Sequence, residues 1–301
     1  MPALAGAGLE PRWWHGLQPV PGERSSPALA RVPARQAECL RHEAATLTLM
    51  TAVRMLLVLF AGPLVAAAPG ALPAREALDY TVEWRLVTAG KAHLVWSVTP
   101  RRANSADPGW QADLHLESTG LVSRLFKVNN DYTSNLESDL CSSGSYLKSE
   151  EGNRRKETSV TFNREARKAE YLEKDLDKKT VVNAHEIDIP ACVHDVLGGL
   201  YTLRTINLQP GQTTQVAVSD GKKSVMARVE AQQREDIKTP AGTFKTIRYE
   251  AFLFNDVLYR RYGHLHVWLT DDARKLPVQI RVRLQFTIGT ITLQLEKEEK
   301  T

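Results

Sequence analysis

Alternation of apolar and polar residues is the feature that most limits what this chain can fold into. The first alternating row is Leu78, Tyr80, Val82, Trp84 and Leu86, and the last is Val278, Ile280, Val282, Leu284, Phe286 and Ile288, followed by Ile291, Leu293 and Leu295. Because successive side chains of a strand point to opposite faces, each row predicts a strand with one apolar face. The 301-residue chain is 43% hydrophobic, which excludes a collagenous, wholly disordered or polytopic membrane protein.

Turn residues between the rows predict antiparallel hairpins. Asp220-Gly221 indicates a two-residue hairpin turn, since both residues tolerate positive φ. Intermediate strands are predicted near residues 92–98, 110–116, 157–162, 168–173, 181–187, 215–219 and 222–231.

Two segments depart from this alternation. Asp195 can cap a helix over about residues 196–205, whose apolar residues recur at helical spacing, and a shorter helical turn is expected at residues 121–127. With one substantial helix, the strands must bury their apolar faces largely against one another. The sequence therefore predicts a mainly β fold, a curved antiparallel sheet forming a barrel or half-barrel with one short helix. We expect a single β-rich domain over residues 76–297.

The segment 50–68 has the pattern of a secretory signal peptide. Arg54 precedes an apolar run of about 14 residues, shorter than the roughly 20 that a membrane-spanning helix needs, and Ala66 and Ala68 supply the small residues before a cleavage site. Cleavage near Ala68 predicts a periplasmic or secreted protein with no stable membrane anchor. Residues 1–49 are then either a non-native extension upstream of the true start or a long disordered leader.

Cysteine usage and charge limit the partners further. Cys141 and Cys192 remain in the exported part, where they form either one disulfide, closing a loop of about 50 residues, or two unpaired buried thiols. Their spacing fits no zinc motif. After residue 68 the chain carries 33 basic and 31 acidic side chains, a balance without the electrostatic footprint of nucleic-acid binding.

Several motifs, taken in order, resemble a known family. They are the segment 195–204 (DVLGGLYTLR), Leu208-x-Pro210-Gly211, the segment 239–244 (TPAGTF), and Trp268-x-x-x-Asp272 followed by Leu276-Pro277-Val278. In this order and spacing they resemble the bacterial envelope family catalogued as domain of unknown function 3108, over about residues 76–297. The resemblance implies an exported, β-rich protein without an assigned activity, and it offers no catalytic residues.

The residues that could carry chemistry each have a plainer explanation. His264-x-His266 would project two rings from one face of a strand, as metal ligands do, but no third ligand is evident. Cys192-x-His194-Asp195 contains the residue types of a thiol nucleophile and its base, yet residues so close in sequence do not readily adopt that geometry. The chain lacks GxSxG, HExxH, P-loop and GxGxxG motifs. We therefore expect no enzymatic activity, no metal site and no cofactor.

Aromatic residues supply the candidate ligand site. Tyr80, Trp84, Trp96 and Trp110 share the inward register of the first strands, where they either fill the core or line an apolar pocket.

The sequence supports three hypotheses. The first is an exported, non-enzymatic β-barrel-like protein that binds an apolar small molecule or lipid of the cell envelope, or an envelope partner. The second is a structural or interaction protein with a filled core, and the third is an enzyme with an unrecognised site.

Overall fold

The computed structural model describes residues 72–100, 108–285 and 289–299. The predictions for the leader, the signal peptide, Phe286 and Ile288 lie outside these residues. The strands are β1 (Arg75–Trp84), β2 (Val87–Val98), β3 (Trp110–Ser118), β4 (Val128–Leu136), β5 (Ser142–Glu151), β6 (Arg154–Asn163), β7 (Lys168–Asp175), β8 (Thr180–Asp188), β9 (Thr213–Ser219), β10 (Ser224–Thr239), β11 (Gly242–Ala251), β12 (Gly263–Thr270), β13 (Pro277–Leu284) and β14 (Thr290–Glu299). The helices are α1 (Gly120–Leu125) and α2 (Val196–Thr205).

All fourteen strands belong to one antiparallel sheet. Its order is β8-β7-β6-β5-β4-β3-β2-β1-β14-β13-β12-β11-β10-β9, so two meanders are joined where the first strand pairs with the last. The edge strands β8 and β9 do not pair with each other, and an isolated parallel bridge links His194 to Val218 of β9. The predicted mainly β fold is confirmed, as one large sheet that does not close.

The predicted helix over residues 196–205 is confirmed, together with its cap. The Asp195 carboxylate accepts a hydrogen bond from the backbone N–H of Gly198 at 2.7 Å, which satisfies one of the free donors at the start of α2. The short helix expected near residues 121–127 is α1, at Gly120–Leu125.

One predicted turn differs from the structure. Ser219 pairs with Ser224, so four residues connect β9 to β10 where two were expected. Gly221 has φ +82°, and a Cβ on it would lie 2.7 Å from a methyl carbon of Val160, so both the backbone and the packing favour glycine there. The turn therefore packs against β6 and is not simply a solvent loop.

The inner face of the sheet is the face on which α2 packs. Cross-strand registers place Leu78, Tyr80 and Val82 of β1 on this face, and they place Glu83 on the outer face. On β13, Ile280 and Val282 belong to the inner face, while Arg281 and Arg283 belong to the outer face, as the alternation predicts. Both inward residues of β13 are nonetheless only half-buried.

The sheet has two ends that differ in what covers them. Because the strands are antiparallel, successive connections lie at alternate ends. Helix α2 lies at the end where β1 begins: Arg204 binds Glu76, and Asp195 binds Ser142 at the start of β5. We call this the helix end. The distal end holds the connections β1–β2, β3–β4, β5–β6, β7–β8, β11–β12 and β13–β14. The β9–β10 turn instead lies beside the segment that leads into α2, where the backbone N–H of Ser219 donates to the carbonyl of His194 at 2.9 Å.

Candidate functional site

Trp96 is the centre of a stack of rings at the helix end. Its side chain is completely buried, with the Trp110 ring 5.0 Å away on one side and the Tyr201 ring of α2 3.9 Å away on the other, measured between centroids. Its Nε1–H donates to the carbonyl of Pro73 at 3.1 Å. Trp96 and its neighbours therefore fill the core at this end, and the space that a ligand would need there is taken by Tyr201.

The other two predicted aromatic residues lie outside this stack of rings. Tyr80 is buried, and its hydroxyl donates to the carbonyl of Pro277 at 2.7 Å. Trp84 is at the distal end of β1, half-buried, with the guanidinium carbon of Arg85 5.4 Å from its ring centroid. The structure thus groups Tyr80, Trp96 and Trp110 around the core beneath α2, and it leaves Trp84 at the opposite end.

A buried ion pair attaches the last turn of α2 to the sheet. The Arg204 guanidinium donates to both carboxylate oxygens of Glu76, at 2.6 and 2.8 Å, and also to the carbonyl of Arg274 at 3.2 Å. Both side chains of the pair are buried. The guanidinium Nε of Arg204 and the hydroxyl of Tyr201 have no hydrogen-bond partner within the described residues. This bidentate, charged contact attaches the last turn of α2 to β1, and the hydrogen bond to Arg274 attaches it to the β12–β13 connection.

The start of α2 is held by a second buried carboxylate. Asp195 accepts hydrogen bonds from the hydroxyls of Tyr132 and Ser134, both at 2.8 Å, and of Ser142 at 3.3 Å. Burial raises the pKa of Asp195, although these hydrogen bonds act in the opposite direction. The carboxylate is fully occupied in fixing the helix to β4 and β5.

Cys141 and Cys192 are joined by a disulfide, with their Cα atoms 5.1 Å apart. The bond ties the β4–β5 turn to the segment that leads into α2. A bridge closing about 50 residues contributes on the order of 4 kcal/mol in the chain-entropy account. Because its sulfur is bonded to Cys141, Cys192 cannot serve as a thiol nucleophile beside His194, whose Nδ1 lies 2.8 Å from the carbonyl oxygen of Leu140. Burial lowers the pKa of His194.

The two strand histidines lie on the outer face of β12. The Nδ1 of His264 is 2.7 Å from one carboxylate oxygen of Glu250, and the Nε2 of His266 is 3.7 Å from the other. Burial is the main cause that lowers the pKa of His266. Over residues 72–100, 108–285 and 289–299, no group of three His, Cys, Asp or Glu side chains is arranged to hold a metal ion.

Beyond the helix, the inner face carries apolar side chains that are only half-buried. This distal apolar lining consists of Trp84, Leu114, Leu116, Leu147, Leu265, Ile280, Val282, Ile291 and Leu293. Cross-strand pairs connect its members, for example Trp84 with Ile291 and Ile291 with Val282. Most of these side chains pack against the buried core, and their partial exposure leaves some of their apolar surface accessible to solvent.

Two further tyrosines are Tyr132, which pairs with Leu114 and Leu147 of the distal apolar lining, and Tyr259, which lies in the β11–β12 connection. Burial is the main cause that raises the pKa of Tyr132 and of Tyr259, yet both side chains retain some exposed surface. The hydroxyl of Tyr132 is held by Asp195, so its ring presents a fixed wall between the helix end and the lining.

A separate pocket opens beside β12 at the distal end, with a volume of about 640 Å³. Polar groups contribute much of its wall, including Asn255, His264, Arg283 and Gln285. It does not include any of the four aromatic residues predicted to bind a ligand.

Sequence reasoning did not identify the charged and aromatic residues that position α2. Glu76 occupies the same inward register as Leu78 and Tyr80. A carboxylate in an otherwise apolar row could have indicated that a basic side chain is buried next to it. Tyr201 follows Val196 by five residues, which is outside the i, i+4, i+7 set used to define the apolar side of the helix. Its contact with Trp96 depends on tertiary packing.

Together these features define a class of protein: an open antiparallel sheet with one end packed around a helix and a half-buried apolar lining at the other. The chain belongs to the family described as "Protein of unknown function (DUF3108)", whose sequence model matches residues 79–296. The family resemblance expected from the motifs is confirmed.

Comparison with solved structures finds chains with a weak structural similarity to this one. A β-barrel-like protein of domain of unknown function DUF1849 from Brucella abortus is 8% identical, with a TM-score of 0.46, covering 76% of this chain and 98% of that one. A protein with a YmcC-like fold from Bacteroides fragilis is 11% identical, with a TM-score of 0.26, covering 77% and 98% respectively. No curated protein matches the chain.

Proposed function

We propose that this chain is an exported, non-enzymatic protein whose sheet binds the apolar chain of a lipid, or a similarly apolar molecule of the cell envelope. The observation that carries the proposal is the distal apolar lining, because its half-buried side chains on the inner face are the surface that such a ligand would cover.

The size of the effect is sufficient for binding. Each buried methylene contributes about 0.8 kcal/mol, so a chain of about ten methylenes gains roughly 8 kcal/mol. That gain is comparable with the estimated loss of translational and rotational freedom on association. Binding would also bury the part of the distal apolar lining that is exposed in the free protein, and this burial would further favour the complex.

Export is part of the proposal and rests on two observations. The segment 50–68 has the charge, length and small residues of a signal peptide. The disulfide between Cys141 and Cys192 is the kind of bond that persists in an oxidising compartment. Among the described residues, no helix is both long and apolar enough to cross a membrane.

The proposal that the protein is not an enzyme rests on two of the side chains that were candidates for catalysis, Cys192 and Asp195. The thiol of Cys192 is consumed in the disulfide, and the carboxylate of Asp195 is occupied by four donors. An enzyme with an unrecognised site remains the least supported of the three hypotheses.

The second hypothesis, a structural or interaction protein, is supported by the complete filling of the helix end. Trp96 is enclosed by Trp110 and Tyr201 and leaves no ligand space there. The two hypotheses differ only in whether the distal apolar lining takes up a ligand, and a binding experiment directed at that lining separates them.

The test is titration of the chain with a dansyl-labelled fatty acid, followed by dansyl fluorescence. We expect saturable binding, and we expect Leu293→Trp, which enlarges a central residue of the lining, to weaken it at least about tenfold, because displacing two methylenes costs roughly 1.6 kcal/mol. The matched control is Gln294→Trp, which places the same side chain on the outer face of β14. Absence of saturable binding by the unaltered chain, or equal binding by the Leu293→Trp variant, would favour the filled-core hypothesis.

A further inference from the structure

The most exposed large apolar side chains of the described residues all belong to the distal end. They are Leu86 (92% exposed), Leu125 (75%), Leu121 (70%), Tyr262 (61%), Val87 (59%) and Val181 (58%). The first five lie in or beside the connections β1–β2, β3–β4 and β11–β12, and Val181 is the second residue of β8. We call this set the distal apolar rim.

The local structure holds these side chains outward. Helix α1 buries none of its residues, and the backbone N–H of Thr119 just before it donates to the carbonyl of Ala89 at 2.9 Å, which fixes its position beside β2. Leu86 has φ +71°, a left-handed conformation that is sterically unfavourable for a leucine. Leu86 is therefore stabilised neither by burial of its side chain nor by its backbone conformation.

The same end is basic. Its six connections carry seven basic and two acidic side chains among the described residues. The basic ones are Arg85, Arg124, Lys127, Lys178, Lys179, Arg260 and Arg261, and the acidic ones are Asp177 and Asp256. The described residues of the connections at the helix end, with the β9–β10 turn included, carry seven basic and seven acidic side chains. Among the described residues of the connections, the excess of positive charge therefore lies at the distal end.

We propose that the distal end docks on the surface of a lipid bilayer that contains anionic lipids. Apolar tips surrounded by Arg and Lys fit such a surface, because the tips enter the boundary between headgroups and acyl chains while the cations attract the negative headgroups. A second copy of the chain fits less well, because two ends with the same excess charge repel each other.

The proposal rests on the proposed function and extends it, since the distal apolar lining lies toward the same end. Trp84 of the lining and Leu86 of the rim are two residues apart at the end of β1. An end that docks on the bilayer would bring the lining next to the membrane lipids themselves. The surface of a bilayer is thus the partner of the rim, and a single lipid chain is the ligand of the lining.

The test is co-sedimentation of the full chain with vesicles of phosphatidylcholine alone and of phosphatidylcholine with roughly one third phosphatidylglycerol. The key variant combines Leu86→Ser, Leu121→Ser and Leu125→Ser. The matched control combines Val98→Ser, Tyr146→Ser and Val196→Ser, three exposed apolar residues outside the distal rim. Because the predicted signal segment is the same in all three proteins, it cannot account for a difference between them.

We expect the unaltered chain and the control to bind the anionic vesicles, and the rim variant to bind them at least about tenfold more weakly. Binding should be weaker to phosphatidylcholine alone, and it should fall as salt is added. Uptake of the dansyl-labelled fatty acid in solution should be unchanged in the rim variant, which separates failure of docking from failure of the lining.

Equal sedimentation of the rim variant and the unaltered chain would overturn the proposal, and so would equal binding to the two kinds of vesicle. Self-association of the unaltered chain without vesicles, lost in the rim variant, would assign the rim to a second copy and overturn the membrane assignment. If the unaltered chain binds the anionic vesicles but takes up no fatty acid, the proposed ligand of the lining is wrong. The proposed docking of the rim on the bilayer would then still be supported.

Discussion

Replacement of Trp96 by alanine is expected to lower the free energy of unfolding by about 3–5 kcal/mol. The indole is completely buried between Trp110 and Tyr201, so its removal loses both apolar burial and stacking and leaves a cavity that rigid neighbours cannot fill. Denaturant unfolding of the two proteins measures the difference. The matched control is Trp84→Ala, which should cost clearly less because Trp84 is only half-buried. A loss below about 1 kcal/mol for the Trp96 variant would show that the ring does not occupy the core.

Breaking the buried ion pair should have an effect of similar size. Glu76→Ala leaves the Arg204 guanidinium buried without its carboxylate, and the expected loss is about 3–5 kcal/mol of unfolding free energy. The double variant Glu76→Leu with Arg204→Met removes both charges and keeps similar volumes, so we expect it to recover most of that loss. Thermal and denaturant unfolding of the unaltered chain, of the single variants Glu76→Leu and Arg204→Met, and of the double variant form the cycle. Equal losses in Glu76→Ala and in the double variant would show that the charge left unpaired is not the source of the instability.

The alternation of residues predicted much of the sheet because most strands have one apolar and one polar face. It did not predict β4, whose inward residues include Tyr132 and Ser134, because these polar groups face Asp195 in place of an apolar core. Strands β5 and β11 were missed as well. A strand whose inner face binds a polar cap cannot be recognised by hydrophobic periodicity alone.

The candidate site was predicted only in part, for a related reason. The inward register of Tyr80, Trp84, Trp96 and Trp110 followed from the sequence, but the position of α2 did not. The position at which α2 packs on the sheet determines which of these rings are enclosed and which remain partly exposed. That position is set by long-range contacts such as Glu76 with Arg204, 128 residues apart in the chain, which local patterns do not show.

The two ends of the sheet therefore differ in how their apolar side chains are packed. At the helix end, a disulfide, a buried carboxylate and a buried ion pair fix one arrangement of α2. At the distal end, apolar side chains on the inner face remain half-exposed, and apolar tips project among basic residues. A rigid closed end and an accessible apolar end are what a carrier of a lipid chain requires.

The most direct test of the central claim, that the inner face holds an apolar ligand, is native mass spectrometry of the protein purified without detergent from its own cell envelope. We predict a population heavier than the bare chain by the mass of a lipid or similar apolar molecule, released on denaturation and strongly reduced in the Leu293→Trp variant. A single species at the mass of the bare chain, in both proteins, would contradict the account.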